Sequence, residues 1–276
     1  MNKKDYRESK AVNWSTLKHL LDSPHAYVHA CDTPLQPTPA MAYGTALHTQ
    51  LLEPARYSLD VSVAPPEFLT PSGALSTAKP AREWMQTLPE GQCVITPEQD
   101  AAIITTLSRL PTAWQQLSKY VPYREEPMWW QEPEFGALCK GMPDAHGPGY
   151  LLDVKTWAPR GRFTPAAFMR EAVQRRYLGQ LGFYARGLEK LNNRCTRWLF
   201  FVVQSVAPYE SFLLQLEDDA IEYGQREAAE ALASYGWWQA AGRPLQNWPE
   251  IVSEGLPAYM RKTEEPADDG TDLEGL

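Results

Sequence analysis

Two carboxylates and an ammonium group fall within twelve consecutive residues of this chain, at Asp144, Asp153 and Lys155. Carboxylate oxygens with open positions suit a hard divalent cation such as Mg2+ or Mn2+, which keeps several waters and binds through one or two carboxylates plus substrate phosphates. A lysine beside them supplies the positive charge that phosphodiester chemistry needs. The same residue types also fit a plain ion pair across an exposed strand edge.

The surrounding segments suggest how these groups are gathered. His146-Gly147-Pro148-Gly149 is a turn signal, and Tyr150 to Thr156 reads as a strand. Alternation then puts Asp153 and Lys155 on one face and Leu152 and Val154 on the other. Asp144, ending the preceding strand, approaches the same face. The pattern predicts a three-strand meander over Glu125 to Gln131, Ala137 to Ala145 and Tyr150 to Thr156. One long helix is expected from about Pro165 to Leu191, then a buried strand over Arg197 to Val203, a partner strand over Ser211 to Leu216, and a helix from Glu217 to Ala241.

Upstream, Asn13 or Ser15 is a helix cap before Trp14 to Leu21, with a break at Ser23-Pro24. Met41 to Leu52 is helical by periodicity, with His48 beside an apolar stripe. Residues 60–97 are rich in Pro, Ser and Gly and read as an excursion from the core, followed by helix from Pro97 to Tyr120 with an interruption at Pro111. The expected organisation is a single α/β domain over 1–262, helical in 1–120 and carrying a central mixed sheet flanked by helices in 121–245. An acidic tail, 263–276, is expected to be disordered.

The net charge of −8 looks wrong for a partner of nucleic acid, whose affinity comes largely from Lys and Arg. Its distribution points the other way. The tail holds six acids and no Lys or Arg, and removing those six leaves 28 acids against 26 bases, so the rest of the chain carries −2. Thr156 to Gln180 is locally basic, with Arg160, Arg162, Arg170, Arg175 and Arg176 against Glu171. A solvated helix face would look the same. Cys31, Cys93, Cys139 and Cys195 are scattered and form no CxxC pair, which argues against a zinc knuckle, a disulfide framework or an iron–sulfur cluster. With no apolar run long enough for a membrane span and no apolar leader, a cytoplasmic location without membrane contact is expected.

Gly141-Met142-Pro143-Asp144, eight intervening residues, Asp153-Val154-Lys155, and then Gln180-Leu181-Gly182-Phe183-Tyr184 on the next helix resemble the PD-(D/E)xK nuclease superfamily. Gly44-Thr45-Ala46-Leu47-His48 upstream, with Ser15-Thr16-Leu17-Lys18 and Ser23-Pro24, narrows the resemblance to the exonuclease VIII (RecE-type) branch, related to the RecB-type and lambda-type exonucleases. It spans roughly residues 14–216. The resemblance implies that Asp144, Asp153 and the Val154 carbonyl ligate the metal, with His48 a further ligand or beside it. It implies that Lys155 orients the attacking water or stabilises charge on the phosphate, with Gln180 and Tyr184, four apart on one helix face, assisting. Glu126 corresponds to an additional acid, with Glu125 competing for that role. Arg160, Arg162, Arg175 and Arg176 are candidates for DNA contact. Taken singly, His48 also fits a core histidine, Gln180 and Tyr184 ordinary helix packing, and Trp129-Trp130 sheet packing rather than a base-stacking platform.

The activity implied is Mg2+-dependent hydrolysis of linear double-stranded DNA from the 5′ end, with Mn2+ able to substitute. The branch also implies ends of double-stranded DNA as substrate, a single-strand annealing protein as partner in phage or prophage recombination, and a ring-shaped homo-oligomer. A structure-dependent endonuclease with the same metal site, or a non-catalytic DNA-binding protein with this fold, are the alternatives.

Overall fold

The chain is described by a computed structural model over residues 3–33 and 37–245. Short helices open it: α1 (Lys3–Glu8), α2 (Trp14–Leu17) continued by a 3₁₀ turn, α3 (Pro24–Asp32), α4 (Pro39–Leu52) and α5 (Tyr57–Asp60). Strand β1 (Val61–Val63) and strand β2 (Cys93–Ile95) pair in parallel and bracket α6 (Lys79–Thr87), so the 60–97 excursion is closed at its base by a two-stranded sheet. Helices α7 (Pro97–Ser108) and α8 (Thr112–Leu117) follow, separated at Pro111 as expected.

Seven strands and three helices complete the domain: β3 (Tyr123–Arg124), β4 (Met128–Glu132), β5 (Ala137–Gly141), β6 (Ala145–Gly147), β7 (Gly149–Trp157), α9 (Pro165–Gln174), α10 (Tyr177–Lys190), β8 (Cys195–Gln204), β9 (Ser211–Gln215) and α11 (Asp218–Ala240). The central sheet runs β3-β6-β7-β8-β9, with β7 and β8 parallel and the other pairs antiparallel. A parallel pair needs a crossover, and α9 and α10 supply it. This is the mixed α/β architecture expected.

Helix starts share one local device. Ser23, Thr38, Thr96 and Thr164 each accept a backbone N–H through the side-chain oxygen, and each is followed by proline in the first turn. At α7 the device is a full capping box, because Gln99 returns a bond to the Thr96 N–H at 2.9 Å.

Both faces of the central strands are covered. Leu151, Phe200 and Val202 pack with Trp14, Phe168, Leu181, Phe183 and Trp198 on one side. Leu152, Val154, Leu199, Phe201 and Val203 pack with Leu47, Ile103 and Trp114 on the other. The period of two thus sends Asp153 and Lys155 toward the α10 side. Helices α10 and α11 cross so closely that a Cβ on Gly182 would lie 2.2 Å from the Gly224 carbonyl oxygen.

Two expectations need correction. The anticipated meander is not one sheet: Met142-Pro143-Asp144 breaks its second strand, β5 pairs with β4 in a separate ribbon, and β6 joins the central sheet. Proline lacks the N–H that a continuous ladder would need there. The anticipated single helix from Pro165 is two, because Arg176 adopts the left-handed conformation at φ 60°. The Arg176 carbonyl accepts the Trp14 indole N–H at 3.0 Å, and its guanidinium meets Asp22 at 2.6 Å and Glu227 at 3.9 Å. These contacts hold a bend that the periodicity alone does not announce. The acidic tail lies outside the described residues. Among the described residues no helix is long and apolar enough to cross a membrane.

Candidate metal centre

His48, Glu125 and Arg175 line a cleft of about 1020 Å³ together with Met142, Thr156 and Tyr177, and Gln180 and Tyr184 line a smaller pocket that also touches Arg175 and Tyr177. Asp144 owes its position to the end of a ladder. Strand β6 pairs with β7 only as far as Ala145 opposite Leu152, and the next N–H along that edge, that of Val154, donates to Asp144 Oδ2 at 2.6 Å. A strand residue presents its N–H and C=O to the same edge, so the Val154 carbonyl also faces the Asp144 side.

The Asp144 carbonyl in turn accepts the Glu125 N–H at 3.0 Å. Glu125 sits at φ 43°, a region that residues bearing side chains rarely occupy and that strained sites retain. From α4, His48 Nδ1 comes within 3.6 Å of Asp144 Oδ2. One ligand atom from each of His48, Glu125 and Asp144 lies within 4.8 Å of the other two.

Asp153 is 1 % exposed, and neither carboxylate oxygen has a hydrogen-bond partner. Lys155 Nζ makes a 2.6 Å ion contact with Oδ2 without hydrogen-bond alignment. The same ammonium donates to Gln180 Oε1 at 2.9 Å and lies 4.3 Å from the centroid of the Tyr177 ring. Gln180 Nε2 donates onward to the Tyr184 hydroxyl at 3.2 Å. The ammonium is therefore bracketed by a carboxylate, an amide oxygen and an aromatic face.

Electrostatics fit this picture. Burial and the neighbouring Asp153 charge push the Asp144 carboxyl up to about 7, against the pull of His48, Lys155 and the Val154 N–H. Burial alone would lower Lys155, but Asp153 and Asp144 override it and hold the group above the ordinary lysine value, so it stays charged. Burial raises Tyr184 well above a free phenol, which keeps its hydroxyl protonated.

Asp144, Asp153, Val154, Lys155, His48, Gln180 and Tyr184 are thus neighbours. Of the two competing acids, Glu125 joins the cluster, whereas Glu126 turns away and has Oε2 3.9 Å from His146 Nε2. The arginines divide. Arg175 lines the cleft and pairs with Glu171, Arg160 and Arg162 are exposed on the loop after β7, and Arg176 is engaged by Asp22 and Glu227. Tyr177 was legible in principle, since Tyr177, Gln180 and Tyr184 recur at helical spacing on one face.

The donor set fits a hard cation. Two buried or half-buried carboxylates approach each other, a third carboxylate and an imidazole stand beside one of them, and the buried Asp153 oxygens lack hydrogen bonds. Carboxylates suit Mg2+ and Mn2+.

The chain carries a PDDEXK-like domain. The chain belongs to the PDDEXK-like domain family of unknown function DUF3799, whose model matches residues 13–249. The letters of that name stand here as Pro143-Asp144 and Asp153-Val154-Lys155. No curated protein sequence matches the chain. Among solved structures, a crystal structure from Eubacterium rectale described as a "putative exonuclease" is similar over 96 % of this chain and 95 % of its own, with a TM-score of 0.57 and 12 % identity. At that identity the likeness is one of fold.

Proposed function

We propose that the chain is a divalent-cation-dependent deoxyribonuclease that degrades one strand of linear double-stranded DNA from its 5′ end. The observation that carries this reading is the buried Asp153 carboxylate, ion-paired with Lys155 and acting on the Asp144 carboxyl that His48 and Glu125 flank. Asp144 and Asp153 would hold Mg2+ or Mn2+, supported by His48, Glu125 and the Val154 carbonyl. When bound, such an ion acts as a Lewis acid toward phosphate and makes water a better nucleophile near neutral pH.

The chain's own groups do the remaining work. Lys155, held by Asp153, Gln180 and Tyr177, keeps a fixed ammonium where negative charge grows on the phosphate. A preorganised donor of this kind is worth roughly 3–4 kcal/mol at the transition state. Gln180 accepts from Lys155 through its amide oxygen and donates to Tyr184 through its amide nitrogen, so it orients both. Arg175 at the cleft wall would meet a phosphate, and Arg160 and Arg162 are exposed on the loop after β7. The 5′ polarity, a strand-annealing partner and a ring-shaped oligomer rest on the family resemblance and belong to the same proposal.

Linear duplex DNA labelled at the 5′ or the 3′ end, incubated with Mg2+ or with chelator, tests it, with Asp153→Ala and closed-circular DNA as controls. Mononucleotides released from the 5′ end, only with Mg2+ and only by the unaltered protein, are the expected result. Cutting of circles would replace it with an endonuclease, and binding without cutting would replace it with a non-catalytic DNA-binding protein.

A further inference from the structure

The first turn of α1 reaches into the same cleft. Lys3 Nζ lies 2.6 Å from Glu125 Oε2 and also contacts Glu53, and all three side chains are partly buried. Behind it the chain is pinned. The buried Lys140 donates to the Tyr6 and Ser9 carbonyls at 2.7 and 2.6 Å and lies 4.7 Å over the Tyr6 ring. Trp129 meets Tyr6 edge-on and donates to Ser9 Oγ at 3.3 Å. The backbone of this segment is therefore fixed, while the lysine side chain spans the gap on a flexible four-carbon stem.

Glu125 is thus neutralised by the chain's own cation while it also stands within ligand distance of His48 and Asp144. A divalent ion and this ammonium compete for the same carboxylate. We propose that Lys3 is an internal counter-ion of the metal centre: its ammonium holds Glu125 when no divalent cation is bound, and a cation entering at His48, Glu125 and Asp144 displaces it. The proposal rests on the metal-site reading under Proposed function. It makes the N-terminal turn a built-in competitor that sets how much divalent ion the site needs.

Mn2+ binding to the full-length protein at low ionic strength, followed through the signal of the free ion, tests this. Lys3→Met is expected to tighten Mn2+ by about tenfold, the scale of removing two partly buried ion pairs. Lys3→Arg is expected to bind like the unaltered protein, and Asp144→Asn to lose tight binding with either residue at position 3. If Lys3→Met binds no tighter while Asp144→Asn still abolishes binding, displacement is overturned and the metal site stands. If Asp144→Asn binds unchanged, the metal-site reading itself falls. A second readout needs no change at Lys3: amine acylation of Lys3, followed by peptide mass, should speed up several-fold on adding Mn2+ and not in Asp144→Asn. An unchanged rate overturns the proposal.

Discussion

One backbone angle separates two adjacent glutamates. Glu125, turned by its positive φ and tied through its N–H to the Asp144 carbonyl, faces the cleft, and Glu126 faces His146. Glu125→Gln is therefore expected to weaken Mn2+ binding and slow cleavage by roughly tenfold or more, the scale on which metal affinity and activity respond to lost supporting contacts. Glu126→Gln should leave both near their starting values. Metal titration and single-turnover cleavage of the two variants check this, and equal effects would show that the adjacent carboxylates substitute for one another. The strand period puts Asp153 and Lys155 on one face and helical spacing puts Gln180 and Tyr184 on another, whereas the meeting of the two pairs with Asp144 is what the family resemblance implies. The choice of Glu125 was not legible, because it depends on a left-handed φ with no glycine or asparagine to announce it. Lys3 was not legible either, since a lysine 122 residues distant in sequence from Glu125 carries no local signal of the contact.

At the scale of elements, the sequence marks where helices begin more plainly than where they stop. Hydroxyl caps followed by proline stand at the start of α3, α4, α7 and α9 and are local signals. The break between α9 and α10 is held by Trp14, Asp22 and Glu227, which are distant in sequence, so periodicity runs straight through it. Pro143 did carry a warning, but the alternation on either side of it reads as one strand. The α10–α11 crossing supplies a test of how tightly Gln180 is placed. Gly182→Ala gains about 1 kcal/mol of helix propensity. It also drives a Cβ against the backbone of Gly224, an overpacking that costs about 1–3 kcal/mol or more because backbone cannot rotate away. A lower urea midpoint is expected, with slower cleavage because α10 also carries the Lys155 partner. An unchanged midpoint would show that the two helices can separate freely.

For the whole molecule, fold class was legible because strands and helices alternate with clear periods after residue 120, while the division into a five-stranded sheet and separate ribbons was set by long-range pairing. Charge acts at this scale too. The acidic segment 263–276 lies outside the described residues, yet its six carboxylates account for most of the net charge. If it competes with DNA for the basic surface, deleting it should tighten DNA binding at low salt and matter little at high salt, where exposed charges are screened. Anisotropy titrations at two salt concentrations decide this, and equal affinity at low salt would remove any electrostatic role for the tail.

The bend at Arg176 has a consequence for the order of events during synthesis. It aims α10, and so Gln180, at Lys155, yet it is clasped by Trp14 from the start of the chain and by Glu227 from its last described helix. Contacts so far apart in sequence form late. A ribosome-bound chain that has not yet released residue 227 lacks one half of that clasp, so the Gln180 contact to Lys155 would be set only once Trp14 and Glu227 had both reached Arg176.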